Sequence, residues 1–438
     1  MSASRNDAML ARSLRAVWHP CTQMKHHELM PLVPVRRAEG LWLYDFDDHR
    51  ILDAISSWWV NLLGHGHPRI KAALRDQLDT LEHVMLAGFT HEPVVALSER
   101  LAALAPGRLG HCFYASDGAS AIEIALKMSF HYWRNCGRSG KTGFVTLANS
   151  YHGETLGALS VTDVALFRDT YAPLLRASTQ VPSPDWRDAR PGETPHEVAL
   201  RCAAALEAHL ELHAASTAAL IVEPLVQCAG GMAMYDAEYL RRARALCDRY
   251  GVHLIADEIA VGFGRTGTLF ACEQAGIAPD FLCLSKGLTG GYLPLSVVMS
   301  TDAVYEAFYD DDVARGFLHS HSYTGNALAC RAALTVLQIL HDEDVIAQNR
   351  HRAAMLNRQL AFLAGHPGVA HYRNTGMIWA FDVPGATAGF AQDFSRRALA
   401  LGVLLRPLGN TVYWMPPYAI GEEEGALLAA ALARLLGD

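Results

Sequence analysis

Two residues with reactive side chains follow apolar runs that are typical of buried strands. Asp257 follows the run VHLIA, and Lys286 follows the run DFLCLS. Because ligands bind beside the carboxyl ends of strands in a parallel sheet, one sheet edge would present a carboxylate and an amine. A lysine there can hold the aldehyde of pyridoxal phosphate while the acid keeps the pyridine nitrogen protonated. An ion pair between the two side chains is the alternative interpretation.

The scarcity of lysine draws attention to Lys286. The chain has 32 arginines and five lysines, and Lys286 is the only lysine after residue 141. A buried ε-amine can lose its proton and attack a carbonyl carbon, which a guanidinium cannot do. The contexts of Lys25, Lys71, Lys127 and Lys141 demand no amine, so we expect these four to be solvated charges.

A phosphate anchor is predicted where the apolar run HCFYAS leads into a helical pattern. Asp117 and Gly118 stand at this junction, followed by small residues and no proline. The amides at a helix N-terminus favour an anion. A simple capping turn is the alternative. The sequence GFGRTG at 262–267 matches a dinucleotide-binding pattern, but it does not follow its strand directly and lacks the expected acid downstream, so we reject it.

Aromatic and cationic residues suggest where a substrate would bind. Trp58 and Trp59 are adjacent, and in a sheet-like run they would face opposite ways, so one of them could line a pocket. Arg406 stands at a strand-to-loop position, where it could bind a carboxylate with two hydrogen bonds.

The elements that must position these residues alternate between apolar strands and helices. A helical pattern over residues 196–215 precedes the run AALIVEP, and a second helical pattern stops at Gly251. This alternation predicts an α/β fold with a mainly parallel sheet between about residues 70 and 325. We predict a large domain over 71–325 and a smaller α+β domain built from segments 1–70 and 326–438. Residues 181–195, with four prolines, are expected to form a surface loop.

Composition excludes several classes of protein. The 438 residues carry a formal net charge of −8 with a mean hydropathy of +0.09, which offers no basic surface for nucleic acid or an anionic membrane. No apolar run is long enough to span a membrane, and no signal-peptide core is present near Met1. Nine cysteines without a C-x-x-C pair indicate a reduced, cytoplasmic protein. The 21 histidines show no metal-ligand spacing, so no metal is expected.

Together these motifs resemble the class III, fold-type I aminotransferases over nearly the whole chain. The matching pieces are the acid at Asp257, the GFGRTG loop, the lysine in SKG at Lys286, and the SYTGN segment beginning at Ser322. The resemblance implies a fold-type I large domain, pyridoxal phosphate as cofactor, and a homodimer with shared active sites.

Further motifs resemble the branch of this family that aminates 8-amino-7-oxononanoate in biotin biosynthesis. They are WHPCTQM from Trp18, SSWW from Ser56, and Arg406-Pro407 followed by an aromatic segment. This branch implies S-adenosylmethionine as amino donor. The stretch GGYLPL at 290–295 also occurs in relatives that use lysine as donor, so lysine is the alternative donor.

The resemblance also implies roles for individual residues. Lys286 would hold the cofactor and move the proton, Asp257 would pair with the pyridine nitrogen, and Tyr151 would cover the ring. Asp117, Gly118, and the pair His321 and Ser322 from the partner subunit would bind the phosphate. The implied substrate contacts are Cys21, Trp58, Tyr151, Lys286, Ser320 and Arg406.

Four positions depart from the family pattern. Cys21 replaces a common tyrosine, Ser320 a glycine and Ser322 a threonine whose hydroxyl it keeps. Asp117 stands where serine or asparagine is common. Since a carboxylate repels phosphate, we expect the Asp117 side chain to turn aside.

Three rival functions remain for comparison. The nearest is another class III transaminase, acting on ω-amino acids or ornithine. A non-catalytic protein that binds pyridoxal phosphate and a nicotinamide oxidoreductase belong to other classes. The paired tryptophans and the WHP segment count against the first, and the lack of a DNA-binding extension counts against a regulatory protein.

Overall fold

The computed structural model describes residues 4–30 and 32–437. Its strands are β1 (Val35–Glu39), β2 (Trp42–Asp45), β3 (Arg50–Asp53), β4 (His111–Ala115), β5 (Gly143–Leu147), β6 (Thr179–Val181), β7 (Thr217–Val222), β8 (Val226–Gln227), β9 (Ala233–Met234), β10 (His253–Asp257), β11 (Phe281–Leu284), β12 (Ser296–Ser300), β13 (Ala370–Thr375), β14 (Ile378–Asp382), β15 (Val403–Leu404) and β16 (Thr411–Trp414).

Helices connect these strands. They are α1 (Arg5–Ala16), the single turn α2 (Ser56–Trp59), α3 (Pro68–Leu78), α4 (Glu92–Leu104), α5 (Gly118–Asn135), α6 (Leu156–Ser160), α7 (Ala165–Arg168), α8 (Pro195–His213), α9 (Glu238–Tyr250), α10 (Asp302–Glu306), α11 (Ala327–Asp342), α12 (Val345–Gln359), α13 (Phe390–Ala400) and α14 (Glu422–Leu436). Short 3₁₀ helices include Met24–Glu28 and Lys286–Thr289.

A seven-stranded sheet forms the centre of the larger unit. Its strand order is β4-β12-β11-β10-β7-β5-β6, and β12 alone runs antiparallel to its neighbours. The expected α/β fold with a mainly parallel sheet is therefore confirmed. Strands β7, β10 and β11 are buried along their whole length, because helices cover both faces of a parallel sheet.

The predicted helices that flank the sheet have clear end signals. Helix α8 begins after Thr194, whose hydroxyl and the Glu197 carboxylate form a reciprocal capping box. Helix α9 ends at Gly251, whose φ of 61° suits the left-handed conformation that glycine adopts without strain. One face of α5 packs on the sheet, where Ile122 and Ala125 join Ile255 and Phe281 in the core.

The chain divides into two compact units. One comprises 1–68, 350–374 and 378–438, and contains a four-stranded sheet (β1-β2-β3-β15) and a three-stranded sheet (β13-β14-β16). The other comprises 69–349 and 375–377 and contains the seven-stranded sheet. The predicted domains 1–70, 71–325 and 326–438 stay a prediction; the units differ from them in assigning 326–349 to the larger one.

One expectation about the lysines is wrong. Lys141 is only 5% exposed, and its ammonium donates to the carbonyl oxygens of Ala214 (2.6 Å) and Thr217 (2.9 Å). These carbonyls lie where α8 ends and β7 begins, so the amine links the end of the helix to the start of the strand. Lys141 is therefore a structural cation and not a solvated charge.

No helix in the described part of the chain is long and apolar enough to cross a lipid bilayer.

Candidate active site

Asp257 and Lys286 lie at the carboxyl ends of neighbouring parallel strands. Asp257 is the last residue of β10 and pairs in register with Cys283 of β11. Strand β11 ends at Leu284, and the 3₁₀ helix that Lys286 opens begins two residues later. Lys286 has φ of 41°, in the left-handed region that most side chains avoid. The predicted edge with an acid and an amine is present.

The environment of the Lys286 amine favours its neutral form. Burial lowers the pKa of the ammonium, while the nearby Asp257 and Glu223 carboxylates and the Cys228 thiol oppose this shift. Burial is the largest of these effects. A lysine with a lowered pKa can serve as nucleophile and base near neutral pH.

The Asp257 carboxylate is held by a histidine that the sequence analysis did not identify. His152 is fully buried, and its Nδ1 donates to Asp257 Oδ2 at 2.7 Å. The other carboxylate oxygen accepts the Ile259 amide at 3.1 Å. These bonds orient the acid. The signal in the sequence was the position of His152 beside the candidate Tyr151, after the predicted strand GFVTL.

A second buried acid, Glu223, also escaped the sequence analysis. It lies directly after β7, just as Asp257 lies at the end of β10. Its carboxylate accepts hydrogen bonds from the amides of Tyr151 and Cys228, each at 3.0 Å. Burial raises the pKa of Glu223 to about 7, with the Asp257 charge contributing in the same direction. Its place after the apolar run AALIV was the signal that could have revealed it.

Tyr151 lies in the loop that Glu223 anchors. Its hydroxyl donates to Glu154 at 2.9 Å, and its ring meets Phe167 edge to face at 5.3 Å. Gly153, two residues on, has φ of 128°, and a Cβ there would lie 2.6 Å from the Ala119 Cβ. Glycine thus lets the Tyr151 loop approach the start of α5.

The predicted anion turn lies at the N-terminus of α5. Asp117 is the N-cap: its carboxylate accepts the Ser120 amide and the Ser120 hydroxyl, each at 2.9 Å. The side chain is bonded within its own turn, so the capping turn considered as an alternative is present. A Cβ on Gly118 would lie 3.0 Å from the Ile259 side chain, which shows how closely this turn approaches the end of β10.

Ser320, His321 and Ser322 belong to the loop before α11. His321 Nε2 is 3.2 Å from His319 Nε2, and the other ring nitrogen of His319 is 2.7 Å from the Lys127 ammonium on α5. The Ser322 carbonyl accepts a hydrogen bond from His83 at 2.8 Å. Ser320 and Ser322 are exposed.

Three candidate substrate residues meet in the other unit. The Arg406 guanidinium lies 4.4 Å above the Trp58 ring, and its Nη2 donates to the Cys21 carbonyl at 3.1 Å. The arrangement presents a cation on an apolar aromatic surface. It suits a ligand with a carboxylate at the end of an aliphatic chain.

The paired tryptophans do not lie in a strand, contrary to expectation. Residues Ser56–Trp59 have φ values of 53°, 45°, 71° and 73°, so four consecutive residues form a left-handed turn. Trp59 is buried and its Nε1 donates to the Tyr413 hydroxyl at 3.2 Å, whereas Trp58 is 42% exposed. The side chains do point to different environments, but through a turn and not through the alternation of a strand.

The residues of the larger unit fit pyridoxal phosphate. Asp257 is a buried acid held in place by a hydrogen bond, as a partner for a ring nitrogen must be. Lys286 is an amine with a lowered pKa, and α5 offers an 18-residue helix whose N-terminus favours an anion. No group of three His, Cys, Asp or Glu side chains arranged for a metal ion occurs among the described residues.

Comparison with known proteins gives a consistent picture. The model of the family "Aminotransferase class-III" matches residues 23–436. The adenosylmethionine-8-amino-7-oxononanoate aminotransferase of Helicobacter pylori is 46% identical, with 98% of each chain covered. The protein of the same name from Geobacter sulfurreducens is 39% identical, with 96% of this chain and 95% of the relative covered.

Solved structures with this fold include enzymes of more than one activity. The adenosylmethionine-8-amino-7-oxononanoate aminotransferase of Methanocaldococcus jannaschii superposes with a TM-score of 0.92 at 32% identity, covering 98% of each chain. A thermostable (S)-enantioselective omega-transaminase from Thermomicrobium roseum gives 0.93 at 30% identity, covering 100% of this chain and 99% of that one. Backbone similarity therefore does not separate the two activities, whereas sequence identity favours the first.

Proposed function

The chain belongs to the class III aminotransferases, and from that premise we propose that it aminates 8-amino-7-oxononanoate in biotin biosynthesis with S-adenosylmethionine as donor. The observation that carries this choice is the 39–46% identity, over nearly the whole chain, to relatives named for that reaction. The cofactor is pyridoxal phosphate.

The group of Arg406, Trp58 and Cys21 supports the choice of acceptor. The keto acid has a carboxylate at one end of an aliphatic chain and a ketone near the other. Arg406 would bind the carboxylate, and Trp58 would contact the chain. Cys21 contributes its carbonyl to hold the guanidinium. Ser320 and Tyr151 are further proposed contacts.

Pyridoxal phosphate, when bound, supplies a ring that withdraws electrons from the donor carbon and a carbon that carries the amino group to the acceptor. Asp257 would hold a proton on the ring nitrogen, with His152 fixing the carboxylate. Tyr151 would cover the ring. The amides around Asp117 and Gly118 would bind the phosphate, together with His321 and Ser322 of a second copy.

Lys286 would do the proton transfer. Burial lowers the pKa of Nζ and so favours the neutral amine, which can take a proton from the donor carbon and return it in the second half of the cycle. The left-handed backbone at Lys286 places the side chain directly after the strand end. An arginine could not replace it, because a guanidinium keeps its proton.

We also propose that the enzyme is a homodimer in the cytoplasm. All nine cysteines are free, which suits a reducing compartment. The role proposed for His321 and Ser322 requires a second copy.

The test is product formation from defined substrates. Purified holoenzyme is incubated with 8-amino-7-oxononanoate and S-adenosylmethionine, and 7,8-diaminononanoate is measured by mass spectrometry. Parallel reactions contain lysine as donor, because of the GGYLPL stretch, or an ω-amino acid with pyruvate. Diamine formation supports the proposal, and the better donor identifies the amino source. Turnover of only the ω-amino acid, or of no pair at all, would overturn it.

A further inference from the structure

The turn that carries Trp58 has an unusual backbone conformation. After Ile55, four non-glycine residues have positive φ, and the amides of Trp59 and Val60 donate to the carbonyls of Ile55 and Ser56 at 2.9 and 3.0 Å. Such a left-handed turn is disfavoured for residues with a Cβ. It persists only where the surrounding structure determines it.

Asp53 is the group that holds this turn. It ends β3, is fully buried, and accepts the Ser57 amide at 2.8 Å on one oxygen. Its other oxygen accepts the Ser57 hydroxyl at 2.7 Å and His65 Nε2 at 3.0 Å. The carboxylate thus bonds both the backbone and the side chain of the residue just before Trp58.

The strand register brings the turn to Arg406. Strands β3 and β15 are parallel neighbours, and Asp53 pairs with Leu404, two residues before Arg406. Both the turn and Arg406 therefore leave the same edge of this sheet. The Trp58 ring then lies 4.4 Å below the guanidinium. Any rotation of the turn would separate the two groups.

We propose that Asp53 is a positioning residue for the acceptor: by holding the left-handed turn, it fixes Trp58 beneath Arg406 and so sets the affinity for the substrate carboxylate. This inference rests on the proposed function. It assigns Asp53 no contact with substrate or cofactor. What Asp53 supplies is a turn geometry that the local sequence disfavours.

Asp45 provides a matched control. It is another buried carboxylate of the same sheet, 6% exposed, which accepts the amides of Asp47 and His49 and the His49 ring. Because β2 and β3 are antiparallel, Asp45 lies at the opposite edge from Asp53. Loss of either carboxylate removes several hydrogen bonds to neighbouring donors, but of the two only Asp53 bonds the Trp58 turn.

The experiment compares Asp53→Ala with Asp45→Ala. In Asp53→Ala we expect the KM for 8-amino-7-oxononanoate to rise at least about ten-fold, with a smaller change in kcat. The methyl ester of the keto acid should show a much smaller rise, because it keeps the contact of its chain with Trp58 but offers Arg406 no carboxylate. Hydrogen exchange of the segment around Ser57 should become at least about ten-fold faster. Asp45→Ala should change neither quantity, although its thermal stability falls.

Two milder variants keep the proposal testable if the Asp53→Ala protein does not fold. Asp53→Asn keeps one acceptor for the Ser57 amide and should give intermediate values, and Ser57→Ala loses only one bond and should shift KM in the same direction. An unchanged KM in all three variants of an active enzyme would overturn the inference. An equal rise in KM for the acid and the ester would also overturn it, because such a rise would show a disturbance of the site that does not depend on the substrate carboxylate. If the wild-type protein does not turn over the keto acid, the proposed function fails, and faster exchange would still show that Asp53 holds the turn.

Discussion

Lys286 differs from the other lysines in the charges around it. Asp257 and Glu223 lie within electrostatic reach of its amine, and both are buried. Lys141 is also buried, but its ammonium is bound to two carbonyl oxygens that keep it in place. A buried lysine beside acids at a strand end is therefore the better candidate for proton transfer than a buried lysine alone.

Replacing Lys286 with alanine should abolish the reaction while the protein folds normally. Because Nζ would both hold the cofactor and move the proton, turnover should fall by at least about 10² to 10⁴-fold and the visible absorbance of the bound cofactor should change. The measurement is an absorption spectrum with a single-turnover assay. Lys71→Ala, at an exposed position on α3, serves as control. Full turnover with an unchanged spectrum would contradict the assignment.

Glu258, next to Asp257, should make stability depend on pH. It is fully buried, it accepts the amides of Ala271 and Cys272 at 2.7 and 2.8 Å, and burial raises its pKa to about 7. The folded chain therefore holds a proton that the unfolded chain releases near pH 4.5. The stability that the folded chain gains from this proton is present in full below about pH 4.5 and is lost as pH rises through about 7. The loss in the free energy of unfolding amounts to about 3 kcal/mol.

Glu258→Gln should remove this dependence. The amide loses one acceptor, so the variant is less stable at every pH, but its deficit relative to the wild type should shrink as pH rises from 5 to 8. Thermal unfolding midpoints of both proteins across that range provide the measurement. A deficit that stays constant with pH would show that Glu258 does not titrate there.

At the scale of elements, the strands of the large sheet were predictable and the Trp58 turn was not. Strands β7, β10 and β11 are continuous apolar runs bounded by polar residues, so local composition identifies them. The turn costs roughly 1 to 2 kcal/mol per left-handed residue. It is held by Asp53, by His65 through Asp53, and by the Ser56 hydroxyl bond to the Met415 carbonyl, 359 positions along the chain.

The same contrast explains which site residues the sequence could indicate. Asp257 ends one apolar strand and Lys286 lies two residues after another, so a pattern of local composition predicts both. His152 acts on Asp257 from 105 positions away, through a bond that only the folded sheet creates. Glu223 also follows an apolar run, but local composition does not show that it faces the same lysine as Asp257; only the folded sheet brings it near the Lys286 amine.

Lys141 gives a prediction at the junction of two elements. Its ammonium bonds the carbonyls of Ala214 and Thr217, where α8 ends and β7 begins, and burial lowers its pKa to about 8. Lys141→Met would leave these carbonyls without that donor, so the free energy of unfolding should fall by about 1 to 3 kcal/mol. Urea unfolding measures this, with Lys71→Met as control. A loss no larger than that of the control would contradict a structural role, and the cofactor spectrum should be unchanged in both.

At the scale of the whole molecule, one region of the larger unit exposes several large apolar side chains around a cavity. Leu156, Leu174, Phe317 and Leu318 are among the residues that line a cavity of about 690 Å³, and these three leucines are 53%, 66% and 78% exposed. Large exposed apolar patches mark interfaces. Leu318 lies three residues before His321, so an interface here would be continuous with the loop proposed to reach the phosphate in a second copy.

Leu318→Asp should therefore separate the proposed dimer and reduce activity together. An aspartate here would replace an apolar contact with a carboxylate that must lose its water in the interface, so the dissociation constant of the dimer should rise by at least about 100-fold, and cofactor affinity should fall as His321 and Ser322 are withdrawn. Light scattering after gel filtration measures the mass across a dilution series. Leu212→Asp is the control, because Leu212 on α8 is 79% exposed and does not line the cavity. A Leu318→Asp protein that stays dimeric at the lowest concentration, or a wild type that is monomeric throughout, would show that this surface does not join two copies.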